Sequence, residues 1–321
     1  MNINWGIIGC GDVTEVKSGP ALQNVAGSKL IGVMRRNARL AEDYAQRHHI
    51  GKWYSKSNEL INDPEANAIY IATPPSFHKE YAIAAANAGK IVYVEKPMAL
   101  NYSECQEMIE VCDKNKVPLY VAYYRRALPR FLKVKSVIDE GAIGTVRFVN
   151  SILYKKPAKM DMDGISHWRV DPKIAGGGYF YDLAPHSIDI FLYYFGPVKS
   201  VMGNVSNQMH LYDAEDMVSA LLVFENDIHA VCAWNFNAGD ELDRIEIIGD
   251  RGKITFSMFN TNAILLDTVN DHQEFNIDNP LHIQQPLIQT IIDELNGRGK
   301  CPSTGRSGSE TNRIMDEIFK I

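Results

Sequence analysis

The chain has 321 residues, 45% of them hydrophobic and 22% charged, the mix of a globular protein of about two domains, which excludes a disordered or fibrous one. Its formal net charge of -6 argues against nucleic acid as the main partner, because phosphate binding needs concentrated Lys and Arg. Five cysteines (Cys10, Cys105, Cys112, Cys232 and Cys301), odd in number and without a C-x-x-C pair, exclude a disulfide framework and a zinc knuckle and fit a reducing compartment.

The amino terminus runs straight into an apolar strand pattern at Ile3–Ile8, without the basic flank and cleavage site of a signal peptide. No apolar run approaches the roughly 20 residues that cross a bilayer, so the sequence predicts a cytoplasmic protein with no membrane partner. Strand patterns at Asn4–Gly9, Leu30–Met34, Ala68–Ala72, Ile91–Glu95 and Leu119–Ala122 alternate with helical patterns near Val13–Asn24, Arg39–His48, Phe77–Ala88 and Ser103–Asn115. Such alternation predicts a parallel sheet with helices on both faces. After residue 122 the rhythm changes. A helix over Pro129–Glu140 and a strand over Thr145–Tyr154 lead into a polar, lysine-bearing loop and the run Gly176-Gly177-Gly178. A helix from Tyr181 to Phe195 precedes strands at Val198–Ser206, Met217–Glu225, Ile228–Phe236, Arg244–Gly249, Lys253–Phe259 and Ala263–Thr268. Turns as short as Glu225-Asn226-Asp227 make that sheet largely antiparallel. Helices over Ile283–Asn296 and Ser307–Phe319 close the chain. The expected fold class is α/β plus α+β: a Rossmann dinucleotide-binding domain at 1–122, then an α+β domain at 123–321 built on a mainly antiparallel open sheet.

The first turn reads Gly9-Cys10-Gly11-Asp12-Val13-Thr14, directly between a strand and a helix. Glycines there permit a tight turn and let backbone N–H groups approach a pyrophosphate at the helix N-terminus. Thr14 stands where the usual fingerprint has its third glycine, so the strand-helix context carries the assignment. NAD sites usually end the second strand with Asp or Glu, which holds the ribose 2′-OH. Here the strand runs into Met34-Arg35-Arg36-Asn37, with Arg39 nearby and no carboxylate before Glu42. Two guanidiniums suit a dianionic 2′-phosphate and point to NADP(H); a solvated basic patch is the other reading of the same residues.

At Glu95-Lys96-Pro97 the sequence begins to resemble a known family, the Gfo/Idh/MocA oxidoreductases. Three elements carry the resemblance in order: Gly9-x-Gly11, Glu95-Lys96-Pro97, and Gly176-Gly177-Gly178-x-x-x-Asp182-x-x-x-His186-x-x-Asp189. It spans essentially the whole chain. Trp168-Arg169 and the missing acidic residue after the second strand look most like the NADPH-dependent 1,5-anhydrofructose reductase branch. The resemblance implies a cis Lys96–Pro97 bond, catalytic roles for Lys96, Asp182 and His186, and a sugar, anhydrosugar or polyol as substrate. It assigns the second domain to substrate binding and oligomerisation, with a homo-oligomer (dimer or higher) formed on the open sheet face.

The residues also have a chemical case. Lys96 follows a parallel strand at its carboxyl end, where open α/β sheets bind ligands, and an ammonium there can steady an alkoxide. Asp182 and His186 are four apart and share one helix face, as does Asp189. Such a pair can handle a proton, although alone it also describes a surface ion pair. No further ligand stands at a spacing that would support a metal site. The glycine run favours a close-approach loop. Around the cofactor, Thr73-Pro74-Pro75 with His78, Glu95 beside Lys96, and Trp168-Arg169 are expected contacts; His78 could equally be a polar helix start and Trp168 plain core. Tyr123, Tyr124 and Asp189 are candidate substrate contacts. The function expected is NADP(H)-dependent hydride transfer to or from a sugar-like small molecule. A dihydrodiol-type dehydrogenase and a non-catalytic NADP- and sugar-sensing protein on the same scaffold are the alternatives.

Overall fold

The computed structural model describes residues 2–320. The chain divides into two compact units, Met1–Leu128 with Pro280–Asn312, and Pro129–Asn279 with Arg313–Ile321. This differs from a single boundary near 122, because residues 280–312 return to the first unit. Among the described residues no helix is long and apolar enough to cross a membrane.

In the first unit β1 (Ile3–Ile8), β2 (Ser28–Met34), β3 (Lys52–Tyr54), β4 (Ala68–Ile71), β5 (Ile91–Val94) and β6 (Leu119–Val121) form one sheet in the order β3-β2-β1-β4-β5-β6. Every pairing in it is parallel. Helices α1 (Gly19–Asn24), α2 (Ala38–Arg47), α3 (Ser57–Ile61), α4 (His78–Asn87) and α5 (Tyr102–Asn115) make the crossovers. β4 and β5 are buried at every position, as strands covered on both faces must be. The strand order reverses at β1, and it is outside the carboxyl ends at such a reversal that open α/β sheets bind ligands. β3 and α3 lie in a stretch where the sequence shows no element. They are three and five residues long, too short for a period to register.

The returning segment closes the first unit chemically. Ser303 and Thr304 run antiparallel beside β6, with Val121 N–H donating to Ser303 O at 3.3 Å, so that edge is covered. Deeper in, Glu95 is buried immediately after β5. Its Oε1 accepts Tyr70 OH and Gln284 Nε2, each at 2.6 Å, and its Oε2 accepts the Lys96 N–H at 3.1 Å. Tyr93 OH donates to Gln284 Oε1 at 2.7 Å. Burial beside this carboxylate pushes the Tyr70 and Tyr93 phenols well above their ordinary pKa, so both remain donors.

In the second unit α6 (Pro129–Asp139), β7 (Val146–Tyr154), α7 (Lys159–Met162), α8 (Pro172–Ala175) and α9 (Tyr179–Phe195) lead into β8 (Val198–Ser206), β9 (Met217–Phe224), β10 (His229–Asn235), β11 (Leu242–Gly249), β12 (Gly252–Phe256), β13 (Ile264–Thr268) and β14 (His272–Phe275). The sheet order is β14-β13-β12-β11-β7-β10-β9-β8. All neighbours are antiparallel except β7 and β10, which run parallel. One face receives the helices: Phe131 of α6 meets Phe256 at 6.2 Å, and Phe180 and Phe195 of α9 meet Trp234 and Phe224 at 5.2 and 5.4 Å. Val231 points to the other face between the buried Ala230 and Cys232, the alternation of a half-covered sheet. β14 has no counterpart among the expected strands because His272-Gln273-Glu274 is polar and exposed. Helices α10 (Gln285–Leu295) and α11 (Gly305–Ile318) end the chain; α10 belongs to the first unit.

Replacing Gln284 by Ala leaves the buried Glu95 oxygen short of a donor and the Tyr93 hydroxyl without its acceptor. Urea unfolding should show a loss of about 2 kcal/mol or more. A midpoint unchanged from wild type would mean that the knot is not holding the returning segment.

Candidate active site

β1 hands over to Gly9, whose φ of +93° favours glycine. A Cβ there would also lie 2.8 Å from Thr73 Cγ2 and 2.9 Å from the Ala72 carbonyl. The Gly9 and Cys10 N–H groups both donate to Met34 O, at 2.9 and 3.2 Å, which ties the turn to the end of β2. Gly11 has the opposite surroundings: a Cβ would find nothing nearer than Gly9 O at 4.0 Å. Its backbone is therefore open to close approach. The missing third glycine has a specific replacement. Thr14 Oγ1 accepts the Gly11 N–H at 2.9 Å and donates to Gly11 O at 2.8 Å, closing the turn with a side chain. The tight helix contact moves to Gly19, where a Cβ would strike Tyr44 Oη and Thr14 O. A π-helical turn at Thr14–Ser18 makes the junction with α1.

Two anchors brace this turn against α2. Tyr44 OH donates to Thr14 O at 2.8 Å. Arg47 grips Glu15 with two bonds of 2.7 and 2.8 Å, and this guanidinium holds the Glu15 carboxyl down at about 2. The Cys10 thiol is buried, and burial raises it to about 11, so Cys10 contributes main chain to the turn and no nucleophile. Residues 35–40 are all exposed, and the Arg36 guanidinium lies 5.2 Å over the Phe77 ring. Arg35 is close enough to Cys10 for its charge to act on the thiol. Asn37 caps α2 by accepting the Leu40 N–H at 3.3 Å. β2 therefore runs out into two cations and a cap.

The next turns complete the carboxyl edge. Thr73, Pro74 and Pro75 come after β4, and the enclosed Thr73 Oγ1 has no hydrogen-bond partner among the described residues. The Lys96–Pro97 peptide is cis. His78 corrects an expectation. Its ring is wholly buried, with Nδ1 3.0 Å from Pro97 O and Nε2 2.8 Å from Thr73 O. It stitches the Thr73 turn to the Lys96–Pro97 turn and offers no nitrogen to a cofactor. Burial pulls its pKa below the ordinary histidine value against the pull of those carbonyls. Glu95 is corrected likewise, since its two oxygens serve Tyr70, Gln284 and the Lys96 N–H. Tyr123, expected against substrate, is 1% exposed and belongs to the hydrophobic core of this unit. Tyr124 is buried too, under the Arg125 guanidinium at 5.1 Å.

α9 belongs to the second unit. The glycine run before it makes a close approach, but to its own chain: a Cβ on Gly178 would lie 2.7 Å from Glu215 O and 2.9 Å from Ala214 Cβ, and one on Gly177 would strike the Tyr181 ring. Gly178 brings no side-chain cap to α9. Instead Glu215, 37 residues on, accepts the Gly178 N–H at 2.8 Å. Burial pushes the Glu215 carboxyl up to about 7. Along the helix face, Asp182 has its side chain 32% exposed, while His186 is 4% and Asp189 1% exposed. Only Asp182 of the three stands well open; His186 and Asp189 are both buried. The Phe259 ring packs edge-on against His186 at 5.7 Å. Arg169 Nε lies 3.7 Å from Asp182 Oδ2, and its guanidinium covers Trp168 at 4.7 Å.

The family described as "Oxidoreductase family, NAD-binding Rossmann fold" matches residues 3–123, and the GFO/IDH/MocA C-terminal domain matches residues 131–255. Oxidoreductase P35 of Formosa agariphila is 39% identical over 316 residues, 98% of this chain and 97% of that protein. The chain belongs to the Gfo/Idh/MocA oxidoreductase family. A further relative of this Gfo/Idh/MocA protein is the 1,5-anhydro-D-fructose reductase of Ensifer adhaerens, 24% identical over 313 residues, 95% of this chain and 91% of that one. Levoglucosan dehydrogenase, solved with NADH and levoglucosan, shares the fold with a TM-score of 0.86 at 23% identity, covering 99% of this chain and 96% of its own.

A nicotinamide dinucleotide fits the residues present: an approachable Gly11 backbone, the unpartnered Thr73 Oγ1, and exposed cations after β2. Gln284 and Glu215 were not among the residues expected from the sequence. Neither has a local pattern, and adjacent acids at Glu215-Asp216 before a strand were the one available signal.

Glu215 makes a pH test. A carboxyl raised in the folded state adds stability below its ordinary value of 4.5 and loses it as pH climbs through about 7. Glu215→Gln keeps a neutral acceptor for Gly178. Thermal or urea unfolding should show the variant gaining on wild type by roughly 2–3 kcal/mol between pH 5 and 8. Parallel pH profiles would contradict a buried, late-ionising Glu215.

Proposed function

We propose that this oxidoreductase uses NADP(H) to transfer hydride to or from a carbonyl or secondary hydroxyl of a sugar, anhydrosugar or polyol. The observation that carries the cofactor choice is the end of β2: Arg35 and Arg36 exposed, with Asn37 spent on the helix cap and no carboxylate to meet a ribose 2′-OH. Guanidiniums pair with a phosphate dianion by charge-assisted bonds that a hydroxyl cannot match. The substrate class draws on the 1,5-anhydro-D-fructose reductase relative. The gripping residues proposed for the dinucleotide are the 9–13 turn, Arg35, Arg36, Arg39, Thr73, Pro74 and Pro75, with Trp168 and Arg169 at its substrate end.

The nicotinamide, when bound, supplies or accepts the hydride. The chain's residues do the rest. Lys96, held by its backbone N–H on Glu95, directs an ammonium at the substrate oxygen and steadies negative charge there. In the reductive direction His186 delivers the proton that converts this oxygen to a hydroxyl. Asp182 accepts a hydrogen bond from a neighbouring substrate hydroxyl, which orients the ring.

Two measurements check this reading. NADPH should bind at least about ten-fold more tightly than NADH, and Arg35→Ala with Arg36→Ala should erase the difference; a preference for NADH would overturn the cofactor assignment. With 1,5-anhydro-D-fructose and NADPH, Lys96→Ala and His186→Ala should each lose turnover by about 100-fold or more while NADPH affinity stays within a few-fold. Near-normal turnover in either variant would remove that residue from the chemistry.

A further inference from the structure

The segment between β7 and α9 holds a buried polar cluster for which hydride transfer has no evident use. Asp161, on α7, is buried, and its two oxygens are divided between two partners. Oδ1 lies 2.8 Å from His167 Nε2, and Oδ2 accepts Tyr179 OH at 2.8 Å. Burial beside the carboxylate raises the Tyr179 pKa far above that of an ordinary phenol, so Tyr179 stays a donor. The Tyr179 ring is packed among Tyr212, Phe236 and His167, at 5.9, 5.6 and 6.1 Å.

The two partners lead to the two members of one ion pair. His167 immediately precedes Trp168-Arg169, and Arg169 is the cation 3.7 Å from Asp182. Tyr179 opens α9 three residues before Asp182, so the two are neighbours on one helix face. One buried carboxylate therefore fixes the loop that bears Arg169 and the helix turn that bears Asp182. A buried charge is a poor source of stability; an apolar trio of similar volume would serve the fold as well or better. What a carboxylate provides, and an apolar group does not, is direction: two acceptors that admit one arrangement of both donors.

We propose that Asp161 is a positioning residue for Asp182, holding Trp168-Arg169 in register with the first turn of α9 through His167 and Tyr179. This role depends on the proposed function, in which Asp182 binds a substrate hydroxyl. The Asp182 carboxylate is then aimed by Arg169, and Arg169 is aimed by Asp161.

Asp161→Asn tests this with little change in shape, because an amide presents one acceptor where both donors need one. Trp168 reports the loop. Trp5 and Trp234 are buried and Trp53 is 41% exposed, so in a Trp53→Phe background acrylamide quenching reads mainly Trp168. Asp161→Asn should raise that quenching about two-fold and raise the KM for 1,5-anhydro-D-fructose by about ten-fold or more, with NADPH affinity, to which Trp168 and Arg169 contribute at one end only, falling by no more than about three-fold. Tyr179→Phe, which removes one of the two bonds, should give the same pattern at smaller amplitude, and His167→Gln, which keeps a donor, should stay close to wild type in both readouts. Unchanged Trp168 quenching in Asp161→Asn would overturn the proposal, as would altered quenching with an unaltered KM. Should wild type fail to turn over any ring polyol or its ketone, the proposed function falls, and the quenching series still decides whether Asp161 holds the loop.

Discussion

A carboxylate buried under a turn, with each of its oxygens committed, is the constraint on which the first unit depends. Glu95 cannot sit in an apolar interior unless donors surround it, and those donors come from β4, from its own neighbour Lys96, and from Gln284, 189 residues further on. Gln284 meets that requirement, and with the buried Leu287, Ile288, Ile291 and Ile292 of α10 it ties residues 280–312 to the first unit. The requirement also explains how the Lys96 backbone is held at the carboxyl edge of the sheet. His78 works beside it by another route, joining the Thr73 and Pro97 turns through one imidazole. The residues that would touch cofactor or substrate are thus carried on turns that other, fully buried, groups keep still.

The same device recurs in the second unit. α9 begins without a cap of its own and is capped by Glu215, which lies just before β9; its first residue, Tyr179, is tied to Asp161. Glycines at 177 and 178 leave the space into which Tyr181 and Glu215 fit. In both units a buried acid ties a turn to a residue far from it in sequence. Positional precision of this kind is what transfer between two bound molecules demands, since small misplacements are costly to rate.

Much of the scaffold was legible in the sequence. Strand ends move by one to three residues, as where β4 stops at Ile71 instead of Ala72 and β12 at Phe256 instead of Phe259, but the parallel and antiparallel sheets follow from the change of apolar rhythm after residue 122. The turn glycines and the cations ending β2 were equally plain, because each is a local pattern with a local cause. What escaped was of two kinds. β3, α3 and β14 are too short or too polar to show a period. The knots at Glu95, Glu215 and Asp161 join residues 189, 37 and 18 positions apart, and no window of sequence contains their partners. For that reason the sequence does not show that the Glu95 and His78 side chains are committed to neighbouring turns, or that Tyr123 and Asp189 are buried. Chemistry-bearing residue types mark a site's neighbourhood; the hydrogen bonds that commit a side chain to the fold become visible only in the structure.

Transfer of label tests hydride chemistry at this site most directly. NADPH deuterated at C4, prepared with the label on either face, would be mixed with 1,5-anhydro-D-fructose in a single turnover and the product weighed by mass spectrometry. The proposed function predicts deuterium on the reduced carbon from one face of the nicotinamide alone, and none within the same time when Lys96 is replaced by Ala. Product without label from either face, or equal transfer by the Lys96→Ala variant, would contradict it.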